Sequence, residues 1–339
     1  MTPDLAVPAT GRDAGVAWHY GDPLREQRVL ATGAGVVDRS NRDVLVVPGQ
    51  DRLGWLHSIC SQHVSKLADG DATEALVLSP HGHVEQHWQV TELGEQVWID
   101  TEPGAAAEVL GYLRKMQFLK RVDPADVSAE WSVLSLVGPA TATVLRLAGL
   151  PAPEPAGRAE RLPGGGFVRR MSWPGQDAAD LLVPRDRAPG FVAALVGAGA
   201  EHAGLWAFEA LRVEARRPRI GLETDHRTIA HEVGWIGSAV HLDKGCYRGQ
   251  ETVARVQNLG RPPRRLVLLH LSGESDELPA AGTPVELDGR TVGFLGTALH
   301  HYELGPIALA VVKRSLPDNS LLVISGQAGA IDPSTSAAT

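Results

Sequence analysis

Cysteine is scarce: Cys60 and Cys246 are the only two in 339 residues. Two thiols cannot by themselves make a zinc site or a disulfide framework, so a reducing, cytoplasmic setting is expected. Positive charge is also in deficit. Thirty-two Lys and Arg face 40 Asp and Glu, for a net charge of −8. That excludes broad duplex binding through phosphate neutralisation and leaves room for a local basic pocket. No long apolar run is present. The most apolar stretch, residues 190–200, stops at Glu201 and is too short to span a bilayer. The opening MTPDLAVPAT has neither a basic n-region nor a sustained apolar h-region, so no signal peptide is expected.

What remains is ordinary for a globular protein: 43% hydrophobic and 21% charged residues, with length for two or three domains. Residues 43–47 (DVLVV) read as a strand ending in the Pro48-Gly49 turn. Asp51 is placed to cap a helix with Leu53, Leu56 and Ile59 on one face. Strands follow at 74–79, 83–90 and 95–100. In 83–90, Val84, Trp88 and Val90 alternate with His83, Glu85, His87 and Gln89, which predicts opposite faces, with Gln86 the exception. A helix then turns Val109, Leu110, Leu113 and Met116 inward. Further strands are expected at 130–137 and 180–183, a helix after Gly138-Pro139, and a helix over 204–217 stopped by Pro218. Strands and helices mix without a βαβ rhythm, so the fold class is α+β.

The character changes at Pro262-Pro263. Only short strands follow, at 265–271, 283–287, 291–298, 306–312 and 320–325, with a hairpin signal at Asp288-Gly289 and bend-permitting glycines at 293 and 296. This predicts a small antiparallel β-barrel over 261–326, after an α+β region at 15–260. The small, polar run at 327–339 reads as a disordered tail.

The densest segment is KGCYRGQE at 244–251. Cys246 has a cation on each side, Lys244 and Arg248, and cations lower a thiol pKa toward the reactive thiolate. Gly245 and Gly249 bracket it as in a loop. The other reading is that cysteine is commonly a small buried hydrophobe.

Two segments, LRVEARRPRIGLETD at 211–225 and HLDKGCYRGQE at 241–251, resemble the folate-dependent glycine-cleavage T-protein superfamily. The second is similar to the K-G-C-Y-x-G-Q-E signature of its YgfZ branch at every fixed position. VVPGQDRLGWLHSICSQHVSKLADG and Gly138-Pro139 support the likeness, which covers about residues 35 to 325. The resemblance implies a ring of two α+β domains plus the C-terminal barrel, around a cleft for tetrahydrofolate or a folate derivative. It also implies an accessory role toward iron–sulfur proteins or their assembly factors, with an effect on tRNA modification through such enzymes, and ties that role to Cys246. The alternative is a folate-dependent aminomethyltransferase or other one-carbon transferase.

The resemblance places Glu214 in the family's R-x-E, where a carboxylate can accept two pterin donors; the plainer reading pairs it with Arg217 on the same helix face. Arg255 and Arg261, with Arg264 and Arg265, can clamp folate carboxylates or be solvated linker charge. Tyr247 and Trp235 can stack on a flat ring or simply pack. His81, His83 and His87 share a strand face, but the ligand set is incomplete and no metal is expected. Where true T-proteins resemble G-x-x-D-D, this chain has Glu85 and Gln86. Glu85 retains the chemistry of a base; Gln86 does not, which argues against aminomethyl transfer.

Overall fold

Alternating apolar residues, punctuated by glycine and proline, build two large sheets and a barrel, with a small two-stranded ribbon, and short helices pack on the two large sheets. In this computed structural model the described residues are 5–335, apart from 173, 175–176 and 275–276. The chain opens with β1 (Val7–Pro8), β2 (Ala17–His19), α1 (Pro23–Thr32), β3 (Gly35–Asp38), β4 (Asp43–Pro48) and α2 (Arg52–Ile59). A meander follows: β5 (Asp71–Leu78), β6 (Val84–Glu92) and β7 (Gln96–Thr101), then α3 (Ala106–Lys115) and β8 (Ala125–Asp126). Next come β9 (Trp131–Val137), α4 (Thr141–Leu147), β10 (Ala159–Arg161), β11 (Phe167–Met171) and β12 (Ala178–Pro184). Then follow α5 (Ala188–Gly197), β13 (Glu201–Ala203), α6 (Leu205–Glu214) and α7 (Gln250–Leu259). The barrel holds β14 (Arg264–Leu271), β15 (Pro284–Leu287), β16 (Arg290–His301), β17 (Gly305–Lys313), β18 (Leu321–Ile324) and β19 (Gln327–Ile331).

One sheet has the order β5-β6-β7-β4-β8 and another β10-β11-β12-β9-β3-β13. The first packs Val47, Val77, Trp88 and Ile99 against Trp55 and Ile59 of α2 and Val109 and Leu113 of α3. The second packs Val36, Leu134 and Leu181 against Leu145 of α4 and Phe191 and Leu195 of α5. Side chains alternate along a strand, so the opposite faces are left for each other. They meet through Val44 and Trp98 of one sheet and Val133, Phe167 and Leu182 of the other. The fold is thus two α+β halves and a closed six-stranded barrel, β14-β17-β16-β15-β18-β19.

Several expectations are corrected. Residues 327–331, read as disordered tail, form β19, which pairs with both β14 and β18 and closes the barrel. Small residues at Ala328 and Gly329 hid a strand whose partners supply the bulk. Residues 336–339 of that predicted tail lie outside the described residues. Asp51 makes no side-chain cap to α2; its carboxylate accepts instead from Arg121, at 2.9 Å from both the backbone N and Nη2. The 204–217 helix ends at Glu214, because Arg216 takes a left-handed φ of 55°. A bulge sits opposite Val77 and Leu78: Gln86 pairs with Val77, but Val84 pairs with Leu78. Val84 therefore leaves the Trp88 face and joins Leu76, Leu78 and Trp235. Among the described residues no helix is long and apolar enough to cross a membrane.

Because β19 supplies one seam of the barrel, a chain ending at residue 326 should expose the edges of β14 and β18. The expected result is a lower thermal midpoint and increased binding of a hydrophobic dye. A truncated chain that melts like the full one would contradict closure by β19.

Candidate functional site

The facing sides of the two sheets carry rows of polar side chains. Glu74, Gln89 and Asp100 are cross-strand neighbours on β5, β6 and β7. Arg169, Asp180 and Ser135 are neighbours on β11, β12 and β9. Arg169 spans the gap, 2.6 Å from Asp100 and 2.8 Å from Asp180. From the turn between β3 and β4, Arg42 reaches Asp100 at 2.8 Å, and Arg39 donates to Ser135 Oγ at 3.0 Å. All of these side chains are buried. Burial alone would raise the Asp100 pKa; Arg169 and Arg42 outweigh it and hold it at about 2. Burial, helped by neighbouring Arg42, pushes Arg39 down to about 10.

Beside this seam a narrow cleft, with room of about 30 Å³, opens against α6. Its wall includes Trp235 and Phe208, together with Glu74, Glu209, Arg217 and Arg219. Trp235 is 1% exposed, and its ring lies 5.1 Å from that of His87. Glu74 is held by Arg217 and His87, each at 3.0 Å. Arg219 joins Asp13 at 2.8 Å, Glu102 at 2.7 Å and Glu209 at 3.2 Å. Glu209 Oε2 also accepts two bonds from Arg212, at 3.0 and 2.8 Å. Against burial, these guanidinium groups hold the Glu209 pKa down at about 2. No partner for its Oε1 is found among the described residues. Glu209 is thus an ionised carboxylate with an acceptor to spare inside the cleft.

The network continues into the barrel. Arg212 lies 3.2 Å from Glu223, and Glu223 accepts from Thr297 N and Oγ1, both at 2.7 Å. Gly296 permits this approach, since a Cβ there would sit 2.5 Å from Glu223 Oε1.

The 244–251 loop is built differently from its sequence reading. Lys244 is buried, and its Nζ donates to the carbonyls of His57 and, at 2.6 Å, Cys60, at the open C-terminal end of α2. It also lies 4.8 Å from the Tyr247 ring centroid. Arg248 donates to Glu85 at 3.0 and 3.2 Å. Gly249, at φ 82°, locks the loop onto the 79–82 turn; a Cβ would meet the Ser79 carbonyl at 2.6 Å. Cys246 itself is exposed. Cys60 is buried, and burial raises its thiol pKa. Of the two thiols, Cys246 is the one that reagents and partners can reach.

Other predicted residues scatter. Trp235 lines the cleft, and Glu85 lines a vestibule that shares His87 and Glu102 with it, which sets the Glu85–Arg248 pair at the rim. Tyr247 packs in the core with Trp235 and Val253, and burial pushes its pKa up to about 12. Gln86 is buried and accepts from Trp88 Nε1 at 3.1 Å. Glu214 does not line the cleft. Five residues beyond Glu209, it is turned about 140° away on the helix, and lies 3.4 Å from His301 of the barrel rather than on Arg217. Arg255 and Arg261 are exposed. Arg264 is already paired with Asp225 at 2.7 Å and Glu232 at 2.8 Å, and Arg265 with Asp318. His81 and His83 lie together, 6.2 Å between rings, while His87 belongs to Glu74. Among the described residues no group of three His, Cys, Asp or Glu is arranged to hold a metal. Sequence reasoning missed Glu209, Arg217 and Arg219. For Glu209 the available signal was charge at a position the helix period turns inward; Arg217 and Arg219 lie beyond the helix end.

Comparison with known proteins fits this architecture. Residues 16–244 match the model of the GCVT N-terminal domain. An aminomethyltransferase of Geobacillus kaustophilus is 31% identical over 300 residues, covering 85% of this chain and 81% of that protein. A putative chloroplastic transferase of Arabidopsis thaliana is 25% identical over 269 residues, covering 78% and 61%. The crystal structure of the glycine cleavage system aminomethyltransferase T from Bartonella henselae superposes with a TM-score of 0.84 at 21% identity, covering 96% of this chain and 92% of that one. The chain belongs to the GCVT family.

Arg169→Leu would leave Asp100 and Asp180 short of a buried cation, at a cost of about 3–5 kcal/mol at neutral pH. The Asp100 pKa is depressed, so its contribution is present above the ordinary carboxyl range and is lost as pH falls toward about 2. Urea midpoints should therefore show the gap between wild type and variant narrowing below about pH 4. A gap independent of pH would assign the cost to packing alone.

Proposed function

We propose that the cleft binds a tetrahydrofolate derivative and that Cys246, on the loop fastened beside the rim, is the working thiol. The carrying observation is the pairing of an aromatic wall, Trp235, with a carboxylate held ionised and holding a free acceptor, Glu209. A pterin offers adjacent N–H donors and a flat face, and charge-assisted bonds to a carboxylate are the strong kind. Glu209 thereby takes the role that the R-x-E resemblance gave to Glu214. When bound, the folate would supply one-carbon chemistry; the chain's own residues bind and orient it.

The finer reading is an accessory protein for maturation or repair of iron–sulfur proteins. It is supported by the complete K-G-C-Y-x-G-Q-E signature and by the exposure of its thiol. A second reading, folate-dependent aminomethyl transfer, is favoured by the aminomethyltransferase name carried by relatives such as the one from Geobacillus kaustophilus. The rim argues for the first: Glu85 is engaged by Arg248, and Gln86, which has no acid function, is held by Trp88.

Calorimetric titration with tetrahydrofolate should give saturable binding to wild type. Glu209→Gln should weaken it by roughly tenfold or more, in line with about 1.5–3 kcal/mol for a bond to a charged group. Glu214→Gln should leave it unchanged. No binding to wild type would remove the folate assignment; a loss confined to Glu214→Gln would restore the original residue.

In cells whose only copy is Cys246→Ala, iron–sulfur enzyme activity should fall while the purified variant still binds folate. Undiminished activity would sink the thiol role. Turnover of tetrahydrofolate with an aminomethyl donor would establish the second reading instead.

A further inference from the structure

Glu74 and Gln89, which line the central cleft, also line a second mouth between β5, β6 and β11. Its lining includes Arg169, Arg170, Ser172 and Ser238. What distinguishes it is a surplus of donors. Gln89 Nε2, Arg169 Nε, Arg170 Nη1 and Ser238 Oγ are all buried and without a hydrogen-bond partner among the described residues. Buried donors are nearly always satisfied, so four unsatisfied ones around one opening call for an explanation. Gln89 is 4% exposed and Arg169 1%. Asp100 Oδ1 is taken up by the ion pair with Arg169 Nη1 at 2.6 Å, which leaves Arg169 Nε over. Glu74, the one carboxylate in this lining, is held at Oε1 by Arg217 and at Oε2 by His87. Arg170 Nη2 has Asp177 at 2.7 Å, which leaves Nη1 over.

We propose that this second mouth is a binding site for a carboxylate group. A carboxylate is acceptor-only, with about four lone-pair sites, and so complements an amide N–H, a hydroxyl and two guanidinium edges. A neutral acceptor would satisfy fewer donors and gain nothing from the two arginines. The proposal does not rest on the folate reading, because the donors stand whether or not the central cleft holds a pterin. Two sources carry this chemistry: a free amino acid, or the glutamyl end of a folate.

The test is saturation-transfer NMR on the full chain with two probes that lack a pterin, glycine and p-aminobenzoylglutamate. Saturable binding of at least one is expected. Ser238→Ala and Gln89→Leu should each weaken it by about tenfold, the worth of one bond to a charged group. Circular dichroism checks the fold, and Ser238→Ala alone suffices should Gln89→Leu unfold. Glycine alone would identify the source as a free amino acid; p-aminobenzoylglutamate alone would identify it as a folate tail. Failure of both probes to saturate, or binding indifferent to Ser238→Ala in a folded protein, overturns the proposal. Neither outcome bears on tetrahydrofolate binding at the central cleft, which the calorimetric titration reads separately.

Discussion

Arg169 is the interaction on which the rest of the molecule depends. One guanidinium, buried between two sheets, meets Asp100 on one and Asp180 on the other. Left unpaired in that setting, each carboxylate would carry a desolvation penalty of several kcal/mol. The penalty fixes geometry: the sheets can face each other only where both carboxylates reach a cation. Arg42 and Arg39 reinforce the same seam from the turn linking the two sheets. Through Arg219, Arg212 and Glu223 the pattern runs on to the N-terminal segment and the barrel. Apolar clusters hold each layer together; alternating charge sets how the layers meet.

This seam also explains why a cleft exists. Two apolar sheet faces would close on each other at about 10 Å and leave no room. Here polar rows, with Glu74 and Gln89 among them, occupy the inner faces instead, and Glu209 of α6 joins them at the cleft. Among the described residues, the buried groups without a hydrogen-bond partner include donors of Gln89, Arg169, Arg170 and Ser238, which line one opening.

The signature loop has a division of labour that its spacing concealed. Lys244 fastens the loop to the end of α2, Gly249 seats it on the 79–82 turn, and Arg248 ties it to Glu85 at the rim. The cations flanking Cys246 in sequence are thus bonded elsewhere, and the thiol is exposed.

Periodicity made the layers legible, because burial of one face demands it. Trp88 and Val90, Leu56 and Ile59, and the hairpin at Asp288-Gly289, where both residues take positive φ, all fall as their local pattern requires. The signature and the R-x-E segment were likewise visible as sequence. Local pattern failed where a distant partner decided the outcome. The strand at Gln327–Ile331 is short and rich in small residues, and forms by pairing with β14 and β18. Val84 changes face because a bulge opposite Val77 and Leu78 shifts the register. Lys244 and Glu214 sit beside plausible neighbours in sequence yet bond to α2 and to His301. The sequence by itself determined the α+β class, the barrel and the family, since these rest on local period and motif. Only the tertiary structure decided which charges are buried together, because a buried ion's partner is chosen by desolvation across the whole fold.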